Sequence, residues 1–381
     1  MFSFLAIALL VVWCWLMLQS IINLLCFRVL ESADRAPSAK VSIVIPARNE
    51  ERAVGQTIDR ALRQDYSELE VIVVNDASTD GTQAVIDQRR SDARLVPVKA
   101  RELAPGWLGK PNALASGASV ADGEWILFMD ADIELHPSAV RDAVAACEKN
   151  GWDHLALLPE FVRRGFWEEL LMPLIPTVGL VYVPVFLAFL RRTPIAIGGG
   201  AFALVRRSAF EAIGGFETIK ASVVDDLRLA MELKKAGFSS MGRIGTHRLR
   251  LRMYHGLREI MAGFEKNAHT GFGRSIVRPL VALPVSLWIT LAPFAWPVAA
   301  ALTPDTAFRA PLSYLGVSLV LVVSSRALAN LRLGFPLWPI ALSPIASVVF
   351  IIVVFRSLRM VRRHGVVRWR GREYPYSETT F

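Results

Sequence analysis

The chain has few of the side chains that bind metals through nitrogen or sulfur. It has three cysteines, Cys14, Cys26 and Cys147, with no paired zinc spacing and too few for a disulfide framework. Two of them lie in an apolar stretch, where a thiol behaves as a small hydrophobe. The six histidines are scattered and form no HxxxH pair, so zinc catalysis has no ligand set. Zinc-finger spacing, an aromatic RNA-binding signature and the P-loop pattern are also missing. The formal charge of +9 is therefore not assigned to nucleic acid, and no protein partner is deducible.

Charge is also lacking over long runs. Hydrophobic residues make up 53% of the 381 positions and charged ones 20%, with a mean hydropathy of +0.39. The charges concentrate between Arg28 and Arg278 and again after Arg356. A polar domain framed by apolar ends accounts for both figures. Phe2 to Phe27 carries no charge over 26 residues, more than the roughly 20 that span a bilayer. It has neither the basic start nor the cleavage site of a signal peptide. Arg28, Arg35 and Lys40 follow it, which predicts an outside N-terminus and a cytoplasmic domain next.

The expected organisation is an anchor over 1–30, a cytoplasmic domain over 40–278, a membrane region over 279–355 and a basic tail over 356–381. Within the domain, 166–190 is expected to be an apolar interfacial segment. Leu171–Leu190 is uncharged but flanked by arginine pairs and broken by Pro173, Pro176 and Pro184, so it predicts an interfacial or re-entrant element rather than a crossing. The uncharged runs Pro279–Pro304 and Leu333–Phe355 are long enough to span, whereas Ala310–Ser325 is marginal. Two or three crossings both remain open, and with them the side on which the tail lies.

From Val41 the pattern changes to short β-branched runs, Val41–Pro46, Glu70–Asp76 and Glu124–Asp130. They are separated by the helix-like stretches Glu50–Gln64 and Thr82–Arg90. Strands alternating with amphipathic helices predict a parallel, doubly wound α/β sheet. Ligands bind such sheets beyond the carboxyl ends of the strands, and the polar clusters Arg48–Glu51, Asn75–Asp76 and Asp130–Asp132 fall there.

Asp130 and Asp132 at a strand end suit a hard divalent cation bridging a diphosphate; on this pair alone, two loop acids capping the next helix are the commoner alternative. Asp76 ends another strand and suits a base or ribose, or a turn. Lys110, in Gly106-Trp107-Leu108-Gly109-Lys110-Pro111-Asn112, suits a phosphate near a helix start, or plain solvent. Gly199 and Gly200, in Ile197–Ala201, let backbone approach a ligand closely, or form a simple loop. Asp225 and Asp226 open a helical pattern; both cap it, or one acts as a general base.

The ordered set VSIVIPARNEE, VVNDASTDGT, GWLGKPNAL, FMDAD, GGGAF and VVDDLRLA resembles family 2 glycosyltransferases of the GT-A type. The resemblance covers roughly residues 41–273. With the apolar flanks and the ending WRGREY (Trp369–Tyr374), it is greatest to the membrane-bound branch of ceramide glucosyltransferase-like and hopene-associated enzymes. It implies a GT-A domain flanked by transmembrane helices in a bacterial inner membrane. The implied activity is inverting transfer from a nucleotide-diphospho-sugar, foremost a UDP-sugar, to a lipid hydroxyl, with Mg²⁺ or Mn²⁺. Pro46, Ala47, Glu50 and Asp76 would hold the nucleoside and Lys110 the phosphates. Asp130 and Asp132 would form the metal pair, and Asp226 would be the base, with Asp225 in place of the usual Glu. The family's Gln/Arg-x-x-Arg-Trp motif has no clean copy; Lys266 in GFEKN and Arg274 in GFGR are the candidates for its cation. A processive polysaccharide synthase of the same fold and an inactive scaffold that binds nucleotide or lipid are the alternatives.

Overall fold

The computed structural model describes residues 2–35, 37–191, 193–268, 275, 277–303, 312–369, 372–375 and 379. The chain forms two compact units. The first is an α/β unit assembled from residues 27–162, 187–253 and 364–381. The second is helical and comprises residues 1–26, 163–186 and 254–363.

The α/β unit is built on a seven-stranded sheet of β1 (Val41–Ala47), β2 (Leu69–Asn75), β3 (Leu95–Lys99), β4 (Trp125–Phe128), β6 (His154–Leu158), β8 (Ala203–Arg206) and β9 (Ser240–Ile244). Its order is β3-β2-β1-β4-β8-β6-β9. The β-branched runs read from the sequence are β1 and β2, buried along most of their length as expected of strands covered on both faces. The sheet is mixed rather than wholly parallel. β8 runs antiparallel to both β4 and β6, while the other neighbours are parallel. A smaller sheet joins β5 (Ile133–Leu135), β7 (Glu160–Phe161) and β10 (Leu249–Leu251), and a hairpin joins β11 (Val366–Trp369) to β12 (Arg372–Pro375).

Helices α2 (Val54–Leu62), α3 (Thr82–Asp87), α4 (Gly109–Ala118), α5 (Ala139–Asn150), α8 (Arg207–Ala212) and α9 (Asp225–Lys235) complete this unit. The predicted 50–64 and 82–90 helices are shorter at both or one end. Glu50 to Ala53 form the entry turn, and Asp80 accepts hydrogen bonds from the Thr82 amide and hydroxyl at the start of α3. One core layer packs Val44, Ile72, Val74, Leu114, Phe128 and Leu229 with their neighbours. A Leu114→Ala change there costs about 2–5 kcal/mol by lost transfer energy and cavity formation.

The helical unit contains α1 (Phe2–Cys26), α6 (Phe166–Leu171), α7 (Leu174–Thr177), α10 (Gly256–Ala268), α11 (Val277–Leu302), α12 (Leu312–Leu333) and α13, which starts at Ser343 and runs to His364. Four helical stretches, Phe2–Cys26, Arg278–Leu302, Leu312–Leu333 and Ser343–Val361, are long and apolar enough to cross a membrane. From Leu312 onward, the marginal run ending at Ser325 thus belongs to a full-length helix. Arg326 ends the uncharged run, but its side chain is buried and donates to the Tyr182 hydroxyl at 3.1 Å, and the helix continues to Leu333. The uncharged run beginning at Leu333 starts instead with a turn, because Gly334 takes φ +73° and ends α12.

The proline-broken stretch from Leu171 forms no long helix. It divides into α6, α7, a π turn at Val178–Tyr182 and a 3-10 turn at Val185–Phe189. Polar side chains of α1 satisfy the backbone around the break: Gln19 donates to Val181 O, Asn23 donates to Leu180 O and Val183 O, and the Phe186 amide donates to Asn23 Oδ1. Irregular backbone among apolar helices needs such partners, since a bare carbonyl there costs several kcal/mol.

His154 in β6 is fully buried. Its Nδ1 lies 2.9 Å from Ser240 Oγ, and Nε2 has no hydrogen-bond partner among the described residues. Burial pushes its pKa from 6.5 down to about 4. The unfolded chain therefore binds the extra proton between these values, and stability rises with pH across that window. The thermal midpoint should fall as the pH is lowered from 7 towards 4, and H154Q should flatten the slope; calorimetric scans giving the same slope for both proteins would refute this assignment.

Candidate active site at the carboxyl edge of the sheet

Parallel strands deliver the loops that follow them to one edge of a sheet, whereas an antiparallel strand delivers the loop that precedes it. The reversed direction of β8 therefore sets the glycine segment 198–200 beside the end of β4, where Ala203 pairs with Phe128. Asp130 and Asp132 follow β4 directly. Their turn is fixed by the buried Ala131, whose carbonyl accepts from Thr57 Oγ1 at 2.8 Å.

Lys110, in the first turn of α4, lies among the acids. Its Nζ is 2.7 Å from Asp130 Oδ1 and 3.6 Å from Asp225 Oδ2. Burial opposes its charge, but the carboxylates of Asp130, Asp225 and Asp226 outweigh that and hold the ammonium well above its ordinary range. The site thus keeps a fixed positive charge at any physiological pH.

The GWLGKPN loop that carries Lys110 is held on both sides. Arg101 stacks over the Trp107 ring at 4.1 Å and donates to Asn112 Oδ1, while Asn112 donates back to Arg101 O. The Leu108 amide donates to Lys220 O.

Asp225 and Asp226 occupy the first turn of α9, with Val224 at the cap position and no side-chain cap bond. Helix capping therefore does not account for both acids. Asp225 is directed towards Lys110, with its Oδ2 3.6 Å from the lysine Nζ. The site converges over Gly200. A Cβ there would lie 3.3 Å from Asp130 Oδ2, 3.5 Å from Lys110 Nζ and 3.7 Å from Asp226 Oδ2. Lys110, Asp130, Gly199, Gly200, Asp225 and Asp226 line one cleft, whose lining does not include Asp132.

At the other end of the site, Pro46 and Ala47 close β1 against Val74 and Asn75. The Asp76 amide donates to Ala47 O, and Asp76 is 4% exposed. Arg48 donates to the carbonyls of Asp76 and Ala77. The Glu50 amide donates to Thr82 Oγ1, and the Asn49 amide donates to Ser78 Oγ. These bonds lock the loops after β1 and β2 together, with Asn49 and Ala77 both at positive φ, 55° and 50°. Left-handed backbone at an alanine is strained by about 1 kcal/mol or more.

Three contributors escaped sequence reading. Arg372 in β12 forms a two-pronged ion pair with Asp76, at 2.6 and 3.0 Å. Tyr374 Oη accepts from the Gly109 amide at 3.1 Å, supplying the cap that Leu108 cannot provide for α4. Lys234 donates to Ala188 O, Thr193 Oγ1 and Ile195 O, and so ties down the segment leading to the glycines. The Arg-Glu-Tyr of the tail was the available signal for the first two. Of the cations expected for the acceptor side, Arg274 lies outside the described residues. Lys266 falls in α10, but its side chain is outside them.

Hard oxygen donors at Asp130 and Asp132 fit a divalent cation. Among the described residues, no group of three or more His, Cys, Asp or Glu side chains could hold a metal ion. A cation here would take its remaining ligands from phosphate oxygens and water, as magnesium commonly does.

An α/β sheet of this order, with acids and one lysine gathered at its carboxyl edge, resembles the domain of GT-A glycosyltransferases. The model of glycosyl transferase family 2 matches residues 42–214. The chain is 25% identical over 360 residues to the 4,4'-diaponeurosporenoate glycosyltransferase of Staphylococcus aureus, covering 89% of each chain. The structure is similar to the mannosyltransferase PcManGT from Pyrobaculum calidifontis, solved with GDP-mannose and Mn²⁺. The TM-score is 0.54 at 21% identity, covering 91% of this chain and 99% of the other.

Two neighbouring glycines should respond differently to a methyl group. At Gly198 a Cβ would meet the Leu227 amide nitrogen at 2.5 Å and Asp226 Oδ2 at 2.9 Å, so Gly198→Ala displaces backbone and should cost roughly 1–3 kcal/mol of stability. At Gly200 the methyl fits but takes the space where the charges converge, so Gly200→Ala should melt like the wild type and lose sugar transfer. Equal melting losses in the two variants would contradict this division.

Proposed function

We propose that this chain transfers a sugar from a nucleotide-diphospho-sugar to the hydroxyl of a membrane lipid, with inversion at the anomeric carbon. The observation that carries the reading is the convergence of Asp226, Asp130 and Lys110 over Gly200. It supplies a base, an acidic metal-binding edge and a phosphate-binding cation within one cleft. The name of the staphylococcal relative, which denotes a carotenoid carboxylate acceptor, supports a lipid acceptor. The GDP-mannose and Mn²⁺ of the archaeal neighbour support a nucleotide donor with a divalent cation. Following the family resemblance, the donor in this reading is a UDP-sugar.

In this mechanism Asp226 accepts the proton of the acceptor hydroxyl, and the oxygen attacks the anomeric carbon from the face opposite the diphosphate. Asp130 and Asp132 would hold a divalent cation, which neutralises charge on the departing diphosphate. Lys110 supports the same charge from the start of α4. Asp76, with Pro46, Ala47 and Glu50 around it, receives the nucleoside. Gly199 and Gly200 let the reacting groups approach the backbone, and Asp225 keeps Lys110 in place. Fixed charges of this kind stabilise the transition state without reorganisation.

The reading includes membrane placement. Helix α1 crosses a bacterial inner membrane and the α/β unit is cytoplasmic. The tail belongs to the α/β unit through Arg372. An even number of crossings must therefore separate residue 253 from residue 364, and two of the three later helices cross.

Asp226→Asn should still bind nucleotide and lose sugar transfer by roughly 10²-fold or more; radiolabelled transfer at the wild-type rate would remove Asp226 from the mechanism. Asp132→Ala should abolish the Mn²⁺ dependence of nucleotide affinity in titration calorimetry, and a preserved dependence would exclude that ligand.

A further inference from the structure

The transferase reading leaves the diphosphate without the arginine that the absent Gln/Arg-x-x-Arg-Trp motif would bring. Lys110 is engaged by Asp130 at 2.7 Å and Asp225 at 3.6 Å. Arg48 is engaged by the carbonyls of Asp76 and Ala77. Lys110 and Arg48 thus serve an edge that bears Asp76, Asp130, Asp132, Asp225 and Asp226, before any anionic donor is added.

A third basic group reaches this edge from far along the chain. The β11–β12 hairpin carries Arg372 to Asp76, 296 residues away in sequence, where two nitrogens meet the two carboxylate oxygens. The same guanidinium touches the start of α4. A Cβ at Gly109 would collide with Arg372 Nη1 and lie 3.0 Å from both Asp76 Oδ2 and Tyr374 Oη. Arg372 therefore stands between the carboxylate that receives the nucleoside and the helix start that bears Lys110, which is where a diphosphate joining the two would pass. The side chain is 19% exposed, so it can turn towards a ligand without leaving the site. A planar guanidinium that binds one carboxylate through two parallel bonds matches a phosphate equally well.

We propose that Arg372 is a donor-site residue: the C-terminal hairpin forms one wall of the nucleotide site, and its guanidinium exchanges Asp76 for the diphosphate of the bound donor. Tyr374 positions it by fixing the hairpin to the Gly109 amide. This rests on the transferase reading above and adds the tail to the binding machinery.

The test is titration calorimetry on the full-length protein in detergent with Mn²⁺, using UDP and GDP and, as controls, uridine and guanosine. Loss of one charge-assisted bidentate contact predicts that R372A binds the preferred diphosphate roughly 10- to 100-fold more weakly. Affinity for the bare nucleoside should stay within about threefold, because the lost contact is to phosphate. R372K should fall between the two proteins. If R372A lacks a cooperative melt, R372Q carries the same comparison. Diphosphate affinity that is unchanged or tighter in these variants would overturn the proposal and make the hairpin a bystander or a competitor. A wild-type chain that binds neither diphosphate would instead defeat the transferase reading itself.

Discussion

The site depends on one ammonium group placed among carboxylates. Asp130 follows a strand, and Asp225 and Asp226 begin a helix nearly a hundred residues later. Brought together without a counter-charge, they would repel one another and open the edge of the sheet. Lys110 offsets this from the start of a third element, at 2.7 Å from Asp130 and 3.6 Å from Asp225. It can do so only because the loop before it is clamped by Arg101, Trp107 and Asn112. A lysine on a loose loop would stay in water, where a surface ion pair is worth about 1 kcal/mol or less.

The reversed strand is the second constraint. In a wholly parallel sheet the glycine segment would leave by the opposite edge, far from the acids that follow β4. Reversal of β8 alone places Gly199 and Gly200 opposite Asp130. Gly199 is needed for a separate reason, since a Cβ there would press on Phe202 O at 2.8 Å and Ala156 Cβ at 3.0 Å. The segment is small because of packing on one side and open because of the cleft on the other.

Much of this was legible in the sequence because it is local. Strands with β-branched residues, the Asp-Gly turn before α3 and the acids at strand ends all declare themselves within a few positions. The direction of β8 did not, since four residues, Ala-Leu-Val-Arg, read the same either way. Arg326 also misled, because a charge in an apolar run reads as an end when its partner, Tyr182, is 144 residues distant. The contact of Arg372 with Asp76 was the least legible of all. A basic tail after a membrane helix has an ordinary explanation in topology, and nothing near it in sequence points back to β2.

The order of biosynthesis follows from that last contact. The α/β unit draws its final strands from residues beyond the last apolar helix, so that unit cannot be completed until every apolar helix has been synthesised. Until then the Asp76 carboxylate lacks its guanidinium partner and α4 lacks the tyrosine that caps it. Synthesis of the apolar helices therefore precedes completion of the α/β unit, and a chain stalled before its last apolar helix would lack the Arg372–Asp76 pair.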